Sequence, residues 1–177
     1  MEPRPNLAVT VERSDRAHEI ALRLLSVRAR SESEIRKRLA ARGIDTSECE
    51  AEVLRLRSAG LLDDAAFASA WVESRNRAAP RGTRLLRQEL ALKGVDRETA
   101  RSATSDVDDS DAALALARSR AHGPAMADYE TFVTRVGGFL RRRGFDYATA
   151  NGAVRTAWNE ASGDTATSAD GNFHDTV

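Results

Sequence analysis

One seven-residue pattern occurs three times in the chain: leucine, two variable positions, a basic residue, glycine, an apolar residue and aspartate. The copies are LAARGID from Leu39, LALKGVD from Leu90 and LRRRGFD from Leu140, spaced by 51 and 50 residues. A repeat of this period constrains a fold more than composition does, because each copy must take the same local shape and share its apolar surface with its neighbours.

Each position of the heptad has a mechanical reading. A basic residue in a last helical turn favours the negative end of the helix dipole, and glycine just beyond can take the left-handed C-terminal conformation. The apolar residue then packs back on the helix, and the aspartate can cap the next helix by accepting from its free amides. The heptad therefore predicts a helix–turn–helix corner. Ile35, Leu86 and Val136 each lie four residues before the motif leucine, on the same helical face. Downstream, Cys49, Val53 and Leu56 in the first copy and Ala150, Val154, Ala157 and Trp158 in the third form equivalent stripes. The second copy continues RETARSATSDV, which predicts a short third helix with few apolar anchors.

A further helix is expected before each pair. Ile20, Leu24 and Val27 form one stripe, Phe67, Ala70, Trp71 and Ser74 the next, and DAALALARSR supplies the third; Ser14, Asp63 and Ser110 are candidate caps. SESE from Ser31 reads as a capping box. No segment alternates as a strand would. The expected fold is all-α: three tandem three-helix repeats over 15–62, 63–109 and 110–160, forming an elongated, curved array. A flexible N-terminal tail is expected over 1–14 and a disordered polar C-terminal tail over 161–177.

Composition excludes several classes. No apolar run approaches the roughly 18 residues of a membrane span, and the N-terminus resembles neither a secretory signal nor a transit peptide, so a cytoplasmic location is expected. The single cysteine, Cys49, rules out an intramolecular disulfide and reads as a core thiol rather than a nucleophile. His18, His122 and His174 have no metal-ligand spacing, and no phosphate loop or nucleophile elbow appears, so neither a metal nor a cofactor is expected, nor catalysis. The acidic pairs in LLDDAAF, at Asp63 and Asp64, and in DVDDSD, Asp106 to Asp111, stand where helices begin and read as caps.

The remaining signal is charge. The chain has 27 basic and 27 acidic side chains, but setting aside 1–15 and 161–177 leaves 25 against 21. Between Glu73 and Arg101 lie eight basic residues and four acids, and Arg141, Arg142 and Arg143 form a second cluster. Such faces suit phosphates or acidic protein surface better than base edges.

The run LLSVRARSESEIRKRLAARGID and then VLRLRSAGLLDDAAFASAWVESRNRAAPRGTRLLRQELALKGVD resembles the RecX family of recombination regulators. The specific part is the order of pieces: Leu62–Asp63–Asp64, Phe67–Ala68, Trp71–Val72, Arg75, Gly82, Leu86, Glu89–Leu90 and Lys93–Gly94–Val95. The resemblance implies a monomeric, non-catalytic regulator of homologous recombination and the SOS response. Its implied partner is the RecA recombinase filament on single-stranded DNA, whose ATP hydrolysis and strand exchange it restrains. DNA contact, single- or double-stranded, would run through phosphates, with no membrane partner. The candidate partner-binding residues are Arg75, Arg77, Arg81, Arg84, Arg87, Lys93, Arg141, Arg142 and Arg143. The third copy departs from the family by placing Gly137 and Gly138 inside its second helix, each costing about 1 kcal/mol against alanine. Two other readings stay open: a helix-turn-helix DNA-binding protein and a helical protein-interaction adaptor.

Overall fold

The computed structural model describes residues 7–169, with side chains over 15–163. Its described elements are helical. They are α1 (Leu7–Val27), α2 (Glu32–Ala40), α3 (Thr46–Ser58), α4 (Asp64–Ala78), α5 (Thr83–Leu92), α6 (Arg97–Ala103), α7 (Asp109–Arg118), α8 (Tyr129–Phe132), α9 (Gly138–Arg142) and α10 (Tyr147–Ala169). A 3-10 turn, Gly123–Met126, precedes α8, and a π-helical turn, Val133–Gly137, joins α8 to α9. No helix among the described residues is long and apolar enough to cross a membrane.

All three heptads form the corner their residues predict. Gly43, Gly94 and Gly144 take left-handed φ of 78°, 79° and 92°. The amides of Ile44, Val95 and Phe145 reach back to the carbonyls of Leu39, Leu90 and Leu140, closing each helix end. Asp45, Asp96 and Asp146 then accept from the amides of Glu48, Thr99 and Thr149 at 3.0, 2.9 and 2.7 Å, opening the next helix. The motif leucines are fully buried, as are Ile35 and Leu86, with Val136 1% exposed. Each corner is thus set by residues within one heptad.

The chain divides into two compact units. One takes the residues through Val72 together with Glu89–Ala103, and the other takes Glu73–Gln88 together with Thr104 onward. In the first, Ile35, Leu39, Val53 and Leu56 form the buried centre with Ala17 and Ala21. In the second, Phe132, Val136, Leu140 and Phe145 pack with Val154 and the alanines of α7 and α10. Cys49 is buried there in the first unit, its thiol pushed up chiefly by burial and then by nearby carboxylates.

Several expectations need correction. Helix α1 begins at Leu7, so Ser14 lies inside it rather than capping it; no proline or glycine stands between Leu7 and Val27 to stop the helix. Its buried positions are Ala17 and Ala21, while Val27 is 75% exposed, because Ala17, Ala21 and half-buried Leu24 turn inward at helical spacing. In α4, Phe67, Ala68 and Val72 are buried, and Ala70 and Ser74 are exposed. The cap of α7 is Asp108, accepting from the amides of Ser110 and Asp111 at 2.8 and 3.1 Å, so Ser110 is a donor inside the first turn. Helix α10 spans Tyr147–Ala169, with no proline within it to stop it. The remainder of both predicted tails, 1–6 and 170–177, lies outside the described residues. At the doubled glycine the π turn ends at Gly137, interrupting the α-helical ladder while keeping Phe132, Val136 and Leu140 buried.

The acidic pairs show a second use that the spacing did not reveal. Asp63 caps its own helix α4 through the amides of Ala65 and Ala66, while Asp64 accepts the amide of Glu32 at 2.8 Å and so caps α2 of the preceding repeat. The same division holds one repeat later. Asp108 caps α7, and Asp109 accepts the Thr83 amide at 2.9 Å and its hydroxyl at 2.9 Å, capping α5. A carbonyl of the following corner completes each joint. Ser31 Oγ donates to Lys93 O at 2.5 Å, and the Gly82 amide donates to Arg143 O at 2.9 Å. Orphan amides at a helix start are thereby satisfied by the next repeat. The second helix of the third repeat is capped by its own Asp128, which accepts from the Thr131 amide at 2.8 Å.

Burial pushes the Asp64 carboxyl up against the pull of its hydrogen bond to the Glu32 amide. Asp64→Ala is therefore expected to cost about 1–2 kcal/mol through the lost cap, whereas Asp64→Asn, which keeps an acceptor oxygen without a buried charge, costs less. Urea unfolding of the two variants checks this, and equal losses would refute the capping role.

A candidate basic interface

Of the nine candidate residues, eight lie in the second unit and only Lys93 in the first. Lys93 is engaged there: Nζ is 3.0 Å from Glu34 Oε1 and 4.9 Å from the centre of the Trp71 ring, whose Nε1 donates to Glu89 at 2.9 Å. Its charge holds a joint together.

In the second unit, the C-terminal turn of α4, the α4–α5 loop and the end of α9 bring Arg75, Arg81 and Arg143 near one another. Burial, and then the neighbouring charges of Arg75 and Arg143, push the half-buried Arg81 below the ordinary guanidinium range. Arg143 Nη1 donates to Ala79 O at 3.4 Å, which keeps that side chain beside the loop. Neighbouring positive charges disfavour one another, and an anion bound beside them is attracted by each. Arg84 stands exposed on α5, and Arg77 is exposed and paired with Glu73 one turn earlier. Arg87 points elsewhere, its Nε donating to buried Thr104 Oγ1 at 2.7 Å. Arg141 and Arg142 are exposed.

The sequence reading missed Arg120, His122, Arg135 and Phe139. They line, with Arg142, a surface hollow of about 340 Å³ in the second unit. A signal was present: Arg135, Phe139 and Arg142 follow i, i+4, i+7 spacing on one helical face. Arg120 joins from beyond α7, its guanidinium 3.7 Å from the centre of the Phe139 ring.

Among the described residues, no group of three or more His, Cys, Asp or Glu side chains is placed to hold a metal ion. The buried Glu52 is paired instead with His18 Nδ1 at 2.8 Å, and buried Glu32 with Arg57 at 2.7 and 2.6 Å.

The corners, the shared caps and the gathered arginines define an all-α protein of tandem three-helix repeats with a basic surface. Residues 17–56 match the RecX first three-helix domain, and residues 63–103 the RecX second three-helix domain. The regulatory protein RecX of Amycolatopsis mediterranei is 36% identical over 152 residues, covering 84% of this chain and 87% of that protein. That of Mycobacterium avium is 39% identical over 137 residues, covering 75% and 79%. The chain belongs to the RecX family of regulatory proteins. The crystal structure of RecX from Lactobacillus salivarius has the same fold, with a TM-score of 0.77 at 19% identity over 83% of this chain and 97% of that one. A second RecX crystal structure aligns with a TM-score of 0.74 at 22% identity over 85% and 79%.

Proposed function

We propose that this protein binds the RecA recombinase filament on single-stranded DNA and restrains its ATP hydrolysis and strand exchange, so moderating recombinational repair and the SOS response. It does so in the cytoplasm, as a monomer and without chemistry of its own. The observation that carries the reading is RecX-family membership over most of the chain. The clustered Arg75, Arg81 and Arg143 with exposed Arg84 supply a surface suited to acidic protein or phosphate. Repeated units offer several weak contacts to a repeating partner, and such contacts combine through effective concentration. Restraint then follows from linking filament parts that must move during hydrolysis.

The test is ATP hydrolysis by the cognate recombinase on single-stranded DNA as this protein is titrated in. Substoichiometric protein is expected to suppress hydrolysis, and Arg81→Glu/Arg84→Glu to weaken that suppression on the order of tenfold, about 1.4 kcal/mol. Unchanged hydrolysis with the native chain overturns the reading. Full suppression by a folded double variant moves the contact away from these arginines.

A further inference from the structure

The hollow on the third repeat is set apart by its chemistry. Arg120, Arg135, Arg142 and His122 surround it, and its described lining contains no carboxylate. Glu130 borders Arg135 in an adjoining shallow hollow rather than in this one. Guanidinium groups are planar forks that match phosphate oxygens in pairs. Three such residues lining a concavity of this size suit a phosphate group better than a flat acidic surface, which could not enter it.

The hollow is also connected to the other basic cluster. Phe139 lines it and carries the Arg120 guanidinium 3.7 Å from its ring centre, with that of Arg143 at 5.0 Å. Arg143 in turn acts on Arg81. Cations therefore succeed one another from Arg135 and Arg142 past Phe139 to Arg143 and Arg81, all within the second unit. A line of cations with a concave end suits a flexible chain carrying regular negative charge, and a single strand can turn a phosphate into a hollow that a stiff duplex cannot enter.

The geometry points to a nucleic-acid contact: the hollow holds a backbone phosphate of a single strand, which continues over Phe139 toward Arg143 and Arg81. This deepens the function proposed above and rests on it only for the presence of a DNA strand beside the protein. The contact is independent of base sequence, because its side chains address phosphate and the Phe139 ring is already covered by arginine.

Binding of a fluorescent oligodeoxythymidylate to the full chain, without recombinase and over a range of salt, tests the assignment. The native chain is expected to bind more weakly as salt rises. Arg135→Glu/Arg142→Glu should reduce the slope of log K against log salt by about 1.4, two contacts at ~0.7 each for a single strand, and lower affinity at least tenfold. Arg120→Gln, with circular dichroism as the control for folding, should give a smaller loss in the same direction. No binding by the native chain at low salt overturns the proposal, as does an unchanged slope in the folded double variant. Calorimetry with inorganic pyrophosphate separates the sources of phosphate: pyrophosphate bound by a chain that ignores the oligonucleotide would also overturn the strand assignment. Because no recombinase is present, these outcomes are read separately from the ATPase titration.

Discussion

Gly144→Ala is expected to destabilise the protein by about 3–4 kcal/mol, far more than the equivalent change at Gly43. Both glycines have left-handed φ, 92° and 78°, so both variants carry a conformational cost of roughly 1–2 kcal/mol. Only Gly144 is also packed. A Cβ built there lies 2.3 Å from Leu85 Cβ and 2.8 Å from Leu85 N, whereas one at Gly43 meets nothing within 4 Å. Overpacking of this kind adds about 1–3 kcal/mol. Gly94→Ala should resemble Gly144→Ala, since its Cβ would lie 2.2 Å from Ser33 Cβ. Denaturant unfolding of the three variants gives the comparison, and equal losses at positions 43 and 144 would show that the third corner is not packed on α5.

Acid is expected to weaken the first unit through Glu34. Hydrogen bonds from Arg28, opposed by burial and reinforced by Lys93, hold its carboxyl at about 2 against an ordinary value of 4.5. A folded-state value below the unfolded one means that the stabilisation is present above about pH 4.5 and is lost as pH falls toward 2. A shift of this size corresponds to about 3 kcal/mol, and solvent screening at the exposed Arg28 partner reduces it to about 2 kcal/mol. Glu32, Asp96, Asp128, Asp146 and Glu160 are also pulled down by their partners and share the direction, so the informative quantity is a difference. Stability against pH should fall less steeply between 4.5 and 2 in Glu34→Gln than in the native chain. Parallel curves would remove Glu34 from the account.

These two predictions concern the same kind of place, a joint between consecutive repeats, and they separate what could be read locally from what could not. Arg42, Lys93 and Arg143 occupy the same position of the same heptad, yet Lys93 binds Glu34 and Arg143 lies beside Ala79 and Arg81, while Arg42 stands exposed. Nothing within the heptad distinguishes them. The expected basic face between Glu73 and Arg101 likewise falls into two units, because α4 leaves the first after Val72 and α5 returns to it after Gln88. The cluster containing Arg75, Arg81 and Arg143 depends on contacts more than 60 residues apart in the chain.

The sequence by itself determined the corners. Helix stop, left-handed glycine, returning apolar residue and next cap all lie within seven residues, so backbone sterics and local hydrogen bonding dictate them, and three copies dictate a tandem helical fold. Tertiary structure alone decided the partners of Asp64, Asp109, Lys93 and Arg143, and which arginines gather into the basic surface and its hollow. The reason is range: a cap or a charge finds a distant partner only after apolar packing has brought separate helices together, and heptads alike in sequence then meet different neighbours.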